Sequence, residues 1–226
     1  TVSSMRPIED EATEDILPAV LAAASRSPDK LRDTALVLVV MGTSLAPIEI
    51  ALLRVDDFLN ADSSIKHRSV VRAEIALNRK ERPLHWVNAR ICKSISRYLS
   101  WRVQHGFDVT GRAEFRGLNP DSALFLTTTG LPMKVRERPS PRGAHRICAT
   151  IQSIFHRLFL DANVAVTARD GRRRFAERLY TMGGDVEEIR THLGVRYMRE
   201  VWQLIGPAAR QHAKGDRITH LLQQLI

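Results

Sequence analysis

Three segments of the sequence concentrate basic side chains of the types that bind phosphate groups. They span residues 79–82, 134–146 and 169–174. An arginine guanidinium can donate two hydrogen bonds to two phosphate oxygens, whereas a lysine ammonium binds them as a point charge. The third segment opens a predicted helix, where the helix dipole disfavours positive charge, so its arginines favour an anion as a neighbour. Ordinary solvated charge is the alternative interpretation for all three segments.

The charge balance of the whole chain points to the same class of partner. Its 226 residues include 34 lysines and arginines against 25 aspartates and glutamates, so the net charge is +9. Such an excess makes a polyanion, usually nucleic acid, the first partner to test. The candidate contacts to double-stranded DNA are Arg79, Lys80, Arg82, Lys134, Arg136, Arg138, Arg142, Arg169, Arg172, Arg173 and Arg174.

Composition excludes several other classes of protein. A hydrophobic share of 44% and a charged share of 26% are typical of a globular chain that buries a core. The two cysteines, Cys92 and Cys148, exclude a disulfide scaffold and a cysteine-rich zinc module, and they fit a reducing cytoplasm. Because the histidines lack ligand spacing and no nucleotide-binding glycine loop occurs, we expect no metal and no cofactor. We expect a cytoplasmic protein that associates with the bacterial nucleoid when it binds DNA.

Periodicity and breakers predict a mainly α fold with a small antiparallel β-sheet, an α+β class. The most apolar stretch, residues 34–53, contains Pro47, so it predicts a buried helical corner and no membrane span. The predicted helices are 9–25, 31–41, 47–53, 88–104, 143–160, 170–182, 185–193, 197–205 and one that begins at Asp216. The predicted extended segments are 70–77, 82–86 and 123–126, with a turn at 78–81 and loops at 106–121 and 130–142.

Four sequence patterns in succession resemble the catalytic domain of the tyrosine recombinase (phage integrase) family. They are an apolar helix followed by a glycine and a glutamate, a lysine-bearing hairpin, an Arg-x-x-Arg helix start, and a helix that ends in Leu-Gly. The resemblance extends over residues 9–205 and rests on the order and spacing of the patterns. The four patterns lie at residues 42–58, 78–84, 167–176 and 184–194.

The resemblance implies a particular chemistry on DNA. In the family, a tyrosine hydroxyl attacks a phosphodiester and forms a 3′-phosphotyrosyl intermediate. Two arginines bind the non-bridging oxygens, a hairpin lysine protonates the leaving 5′ oxygen, and two histidine or tryptophan positions assist. No metal or nucleotide cofactor is implied, because the phosphotyrosine conserves the energy of the bond.

This chain departs from the family pattern at most of the implied catalytic positions. Alanine replaces the first arginine, arginine replaces the first histidine, valine replaces the second histidine, and leucine replaces the tyrosine. Only Lys80 and Arg172 remain as remnants of the catalytic set. We therefore expect a recombinase-like fold that does not cleave DNA, although an enzyme with displaced residues, such as Tyr197 as nucleophile, stays open. The lost positions are Ala46, Arg169, Val195 and Leu204.

The same resemblance predicts the domain organisation and the partners. Residues 1–8 are a leader, residues 9–206 form the integrase-like domain, and residues 207–226 carry a tail helix. The apolar stripe of that helix suits either packing on its own core or contact with a second copy or a partner recombinase. The chain has no room for the family's N-terminal DNA-clamp domain, so it is either a piece of a longer protein or a DNA binder that grips from one side. We expect a regulator or accessory factor in DNA recombination or integration of a mobile element.

Overall fold

Helix α2, Lys30–Gly42, is the central element of the computed structural model, which describes residues 16–139, 145–207 and 209–210. Its residues from Ala35 to Met41 are all buried, because they are apolar on every side of the helix. Helix α1, Leu17–Arg26, and helix α4, Ala89–Gln104, pack against α2. The apolar side chains of these three helices form one side of the large hydrophobic core.

The other elements follow in an order that confirms a mainly α fold with small antiparallel sheets. The remaining helices are α3 Pro47–Leu52, α5 Ala149–Asp161, α6 Ala168–Thr181, α7 Val186–Leu193 and α8 Met198–Ile205. The strands are β1 Arg68–Val71, β2 Arg82–His85, β3 Arg136–Arg138 and β4 His145–Ile147. Short 3₁₀ turns occupy Val55–Asp57 and Glu114–Gly117.

Local signals correctly predicted several element ends. Pro47 starts α3 after the bend that closes α2, and the Asn88 side chain accepts hydrogen bonds from two backbone N–H groups at the start of α4. Asp185 caps α7 in the same way, and Gly194 ends it in the left-handed conformation. Tyr197, predicted as helical, instead lies at the cap position before α8.

The first hairpin is shorter than its apolar pattern predicts. Strand β1 ends at Val71 and pairs with β2 in antiparallel register, whereas residues 72–77 form a turn. The backbone N–H groups of Ile75 and Ala76 donate to the Arg72 carbonyl, and the N–H of Leu77 donates to a buried carboxylate of Glu49. These bonds curl the chain, so the predicted strand over 70–77 is wrong beyond its second residue.

A second hairpin occupies a region that was predicted as loop and helix. Strands β3 and β4 pair antiparallel, with Glu137 opposite Arg146, and α5 begins only at Ala149. The Arg146 guanidinium donates to the carbonyl oxygens of Glu74, Ile75 and Ala76. This anchor holds β4 extended against the first hairpin, so residues 145–148 do not join the helix.

Residues 124–126 are buried, as predicted, whereas Ala123 is partly exposed. The segment forms a bridge at each end and bends at Leu124 and Phe125, so the predicted extended conformation is only partly present. Fully buried Arg102 on α4 donates to the Ala123 carbonyl at 2.8 Å, and the Tyr98 hydroxyl accepts from the Leu126 N–H at 3.0 Å. Single bridges join Ala123 to Arg54 and Leu126 to Pro132. Side chains of α4 therefore supply the hydrogen bonds that a neighbouring strand would otherwise provide.

Helices α6, α7 and α8 enclose a second, smaller core. Each of these three helices is amphipathic, and their apolar faces pack against one another. Helix α6 connects it to the large core, because α6 also packs on α2. The small core consists of Ala176, Tyr180, Ile189, Leu193, Val201, Leu204 and Ile205.

Several sequence predictions concern residues that the structure does not describe. They are the leader at 1–8, the helical start at 9–15, the candidate contact Arg142, and the tail helix from Asp216. For the same reason, the predicted division into a leader at residues 1–8, a domain at 9–206 and a tail helix at 207–226 stays a prediction. Within the described ranges, no helix combines the length and the apolar character needed to cross a bilayer.

The contact between α2 and α6 gives a test of the fold. A Cβ on Gly171 would lie 2.6 Å from the Val40 carbonyl oxygen, a backbone atom that cannot move aside. We expect Gly171→Ala to lower the free energy of unfolding by about 1–3 kcal/mol, despite the higher helix propensity of alanine. Urea denaturation followed by circular dichroism measures the change.

Gly42→Ala is the matched control for that variant. Its Cβ would meet only the flexible side chain of Ile91, whose terminal methyl lies at 2.7 Å. We expect a change within about 0.5 kcal/mol. Equal effects of the two variants would contradict the close approach of α6 to α2.

Candidate nucleic-acid interface

The carboxylate of Glu49 on α3 lies at the centre of the candidate site. It is fully buried and accepts four hydrogen bonds. Arg82 donates to its two oxygens at 2.8 and 2.6 Å, and the backbone N–H groups of Ala46 and Leu77 donate at 2.8 and 3.0 Å. The site therefore holds a neutralised internal ion pair that ties α3 to the first hairpin.

Arg82 does not belong to the DNA-facing set in which the sequence placed it. Its residue is only 4% exposed, and its Nε donates to the His192 carbonyl at 2.9 Å. Along β2 the side chains alternate between two faces, and Arg82 lies on the inward face with Leu84. The structure therefore corrects this prediction, because the guanidinium serves Glu49 and the end of α7.

Ala46 lies where the resemblance places an arginine, and the structure shows what surrounds it. Ala46 is buried at the start of α3, and its backbone N–H bonds Glu49. Sequence reasoning missed the pairing of Glu49 with Arg82. The available signal was a glutamate inside an apolar stretch, since a buried carboxylate requires a cation or several donors.

Arg172 reaches the same region from α6. Its Nε donates to the Ser44 carbonyl at 3.1 Å, and one terminal nitrogen donates to the Leu193 carbonyl. Burial lowers the pKa of the Arg172 guanidinium; Glu49 opposes that shift, whereas Arg82 adds to it. A buried cation in this electrostatic setting would be stabilised by an added anion.

The tip of the first hairpin presents two candidate contacts to solvent. Arg79 and Lys80 are both exposed, and the Lys80 N–H donates to the Asn78 side chain at 3.0 Å within the turn. Arg79 adopts a left-handed conformation, with φ of 58°. The turn thus directs both side chains away from the core.

The second basic segment lies against the first. Lys134, Arg136 and Arg138 are exposed on and before β3. Burial lowers the pKa of Arg146, which anchors this hairpin, and the charge of Arg79 lowers it further. The bonds from Arg146 to the carbonyls of residues 74–76 place the end of the second segment against the first hairpin, although the chain separates them widely.

The third basic segment begins α6. The Thr167 backbone and hydroxyl both donate to Asp170 at 2.7 Å, so the helix start is capped by an acid. Asp170 also pairs with Arg173 at 3.3 Å. Arg169 is exposed, and its charge contributes to the lowered pKa of Arg172. Arg174, the last candidate, is partly buried.

The structure therefore brings one arginine from each of the three basic segments close to Glu49. Arg172 bonds the Ser44 carbonyl, two residues before the Ala46 N–H that donates to Glu49. Arg146 bonds the Ala76 carbonyl, one residue before the Leu77 N–H that donates to the same carboxylate. Arg82 joins the hairpin to the same point by hydrogen bonds. The result is a locally positive region that can bind phosphate groups, with one internal carboxylate that is already paired.

Two further positions that the resemblance assigns to catalysis hold apolar side chains in or beside the small core. Leu204 is buried in the small core, and Val195 packs against its edge. Tyr197 is 44% exposed, and the guanidinium carbons of Arg196 and Arg199 lie 5.2 and 4.7 Å from its ring centroid. The Tyr197 ring therefore contacts two arginines, one just before it in the chain and one in the first turn of α8.

Comparison with solved structures identifies the fold. XerA recombinase matches 96% of this chain with a TM-score of 0.65 at 18% identity. XerH recombinase bound to its palindromic difH substrate matches 91% with a TM-score of 0.60 at 14% identity. The Tn1549 transposon integrase in complex with transposon right-end DNA matches 96% with a TM-score of 0.57 at 14% identity. The chain therefore has the fold of tyrosine recombinase catalytic domains.

The matches cover only part of those proteins. This chain spans 66% of the length of the XerA chain, 67% of the Tn1549 integrase chain and 52% of the XerH chain. No protein-family model and no curated protein matches the sequence.

The buried ion pair gives a test of how the site is held together. Glu49→Gln removes one charge and leaves Arg82 buried without its partner. We expect the free energy of unfolding to fall by about 3–5 kcal/mol. Chemical denaturation measures this loss.

An exposed ion pair provides the control. Arg54 and Asp121 pair at 3.1 Å with side chains 40% and 75% exposed, so Asp121→Asn should cost less than about 1 kcal/mol. If Glu49→Gln costs no more than Asp121→Asn, Glu49 is not the element that holds α3 to the hairpin.

Proposed function

We propose that this protein binds double-stranded DNA through the positive region around Glu49 and does not cleave it. The observation that supports the proposal is that one arginine from each basic segment lies close to Glu49, while apolar side chains are buried or packed at the positions that the resemblance assigns to catalysis. The exposed candidate contacts are Arg79, Lys80, Lys134, Arg136, Arg138, Arg169 and Arg173, and the partly buried ones are Arg172 and Arg174.

The solved neighbours support DNA as the partner. The XerH structure holds its difH substrate and the Tn1549 integrase structure holds transposon DNA, and both share this fold. The net charge of +9 supports the same partner. No cofactor enters the proposal, because phosphate contacts need only donors and positive charge.

The absence of cleavage in this proposal follows from the side chains at the lost positions. Leu204 has no hydroxyl with which to attack a phosphodiester, so the covalent route through that position is closed. Ala46 cannot neutralise a phosphate oxygen, and the loss of one such contact in comparable sites costs about 3 kcal/mol or more of transition-state stabilisation. Arg82 does not substitute for it, since its side chain is buried against Glu49.

A regulator or accessory factor in DNA recombination or integration of a mobile element fits these properties. Such a protein would occupy DNA with the geometry of a recombinase domain and leave the strands intact. The competing function is an active site-specific recombinase that uses Tyr197 as nucleophile. Tyr197 is exposed and flanked by arginines, which is the observation in favour of this second candidate.

DNA binding can be tested through its salt dependence. We expect the logarithm of the association constant to fall linearly with the logarithm of salt concentration. Lys80→Gln and Arg138→Gln should each reduce that slope by about one, because each removes one phosphate contact. Fluorescence anisotropy with a labelled duplex measures the slope.

Arg112→Gln is the control for the salt experiment. Arg112 is exposed on the loop after α4 and lies outside the three basic segments, so its removal should leave the slope unchanged. Failure of the wild-type protein to bind duplex DNA at low salt would exclude the proposed function.

Strand cleavage can be tested with a nicked suicide duplex, which traps a covalent protein–DNA complex. We expect no covalent band on a denaturing gel, because the tyrosine position holds Leu204. A band that Tyr197→Phe abolishes and that Tyr180→Phe retains would establish the active enzyme instead. Tyr180 is buried in the small core and serves as the matched tyrosine control.

A further inference from the structure

The outward face of the first hairpin carries a basic pair outside the three segments. Arg68 on β1 lies directly opposite His85 on β2 in the antiparallel register, and both are exposed. Side chains of directly opposed residues project from the same face of a hairpin and lie close together. The face opposite to them holds buried Arg82, which bonds Glu49.

A second histidine approaches this pair from α7. The ring centroids of His85 and His192 lie 5.6 Å apart. Nδ1 of His192 lies 2.9 Å from the Glu188 carbonyl oxygen, which can only accept, so Nδ1 carries the proton. Nδ1 of His192 is therefore engaged within α7, and Nε2 is the ring nitrogen that remains for a ligand.

The charges around His85 disfavour its cationic form in the free protein. Burial lowers the pKa of His85, and the neighbouring His192 and Arg68 lower it further. Arg68 comes from β1 and His192 from α7, and the Glu188 carboxylate lies one turn earlier on α7, where it is exposed. The local field is thus positive, which disfavours a metal cation and favours an anion.

We propose that Arg68, His85 and His192 form a phosphate-contact site for the DNA backbone, at which binding takes up protons. The proposal rests on the proposed function, because the anion is a phosphodiester of the same duplex. A hydrogen bond connects this site to the candidate interface, because Arg82, which bonds Glu49, also donates to the His192 carbonyl. Guanidinium and imidazolium groups both donate charge-assisted hydrogen bonds to phosphate oxygens.

The sign of the pH effect follows from linkage. A phosphate beside His85 favours its protonated form, so the pKa of His85 is higher in the complex than in the free protein. Between these two values binding takes up a proton, and the affinity rises as the pH falls. The pH range in which binding takes up the proton lies around and below the ordinary histidine pKa of about 6.5. Each proton taken up contributes up to about a tenfold gain in affinity per pH unit.

The experiment measures DNA affinity at constant ionic strength from about pH 8 down to about pH 6, a range chosen around the ordinary histidine pKa. A duplex with a pH-insensitive fluorophore reports binding. Titration calorimetry in two buffers of different ionisation enthalpy counts the protons taken up. We expect wild-type affinity to rise about threefold to tenfold over this range, with net proton uptake near the lower end.

His85→Gln and His192→Gln should each reduce both the pH dependence of the affinity and the proton uptake. His156→Gln, an exposed histidine on α5, is the matched control and should behave as wild type. Arg68→Gln should weaken binding at every pH, because its charge does not titrate in this range. Equal unfolding midpoints of the variants exclude a loss of folding as the cause.

The outcomes separate this proposal from DNA binding itself. Wild-type protein that binds duplex near pH 8 with the expected salt dependence, but shows the same affinity and no proton uptake near pH 6, overturns the phosphate-contact site alone. An unchanged pH dependence in both histidine variants does the same. Wild-type protein that binds no duplex at any pH overturns both proposals.

Discussion

A carboxylate buried in an apolar core must be neutralised, and Glu49 imposes that requirement on every element around the candidate interface. Its oxygens accept from the backbone of Ala46 and Leu77 and from both terminal nitrogens of Arg82. Because Arg82 also donates to the His192 carbonyl, a single ion pair joins α3, the first hairpin and α7. Displacement of any one of these elements would leave a buried charge unpaired, so their relative positions are tightly constrained.

The arginines of the interface divide into those that build it and those that face outward. Arg82 and Arg146 direct their N–H groups to internal acceptors, and Arg172 bonds two backbone carbonyls. Arg79 and Arg138 are exposed. Positive charge therefore lies both within the packed framework and on its surface. Burial already lowers the pKa of Arg146 and Arg172, so a bound polyanion relieves an unfavourable state as well as adding contacts.

Three positions that the sequence resemblance assigns to catalysis hold apolar side chains that are buried or packed. Leu204 and Val195 belong to or border the small core of α6, α7 and α8, and Ala46 is buried at the start of α3. These side chains stabilise the contacts between the helices that surround the interface. A fold does not by itself fix a function, so DNA binding and strand cleavage are separate questions for this chain.

The sequence by itself determined the features that depend on near neighbours: the bend at Pro47, the caps at Asn88 and Asp185, the stop at Gly194 and the order of the motifs. Only the tertiary structure decided that Arg82 is internal and that β4 is extended, because the partners that fix them are far away in the chain. Arg82 and Glu49 are 33 residues apart, and Arg146 is 70 residues from the Ala76 carbonyl that it bonds. A charged side chain needs a partner or water, and the sequence shows that need. Whether the partner is a carboxylate, a carbonyl or solvent depends on which groups the fold brings next to it.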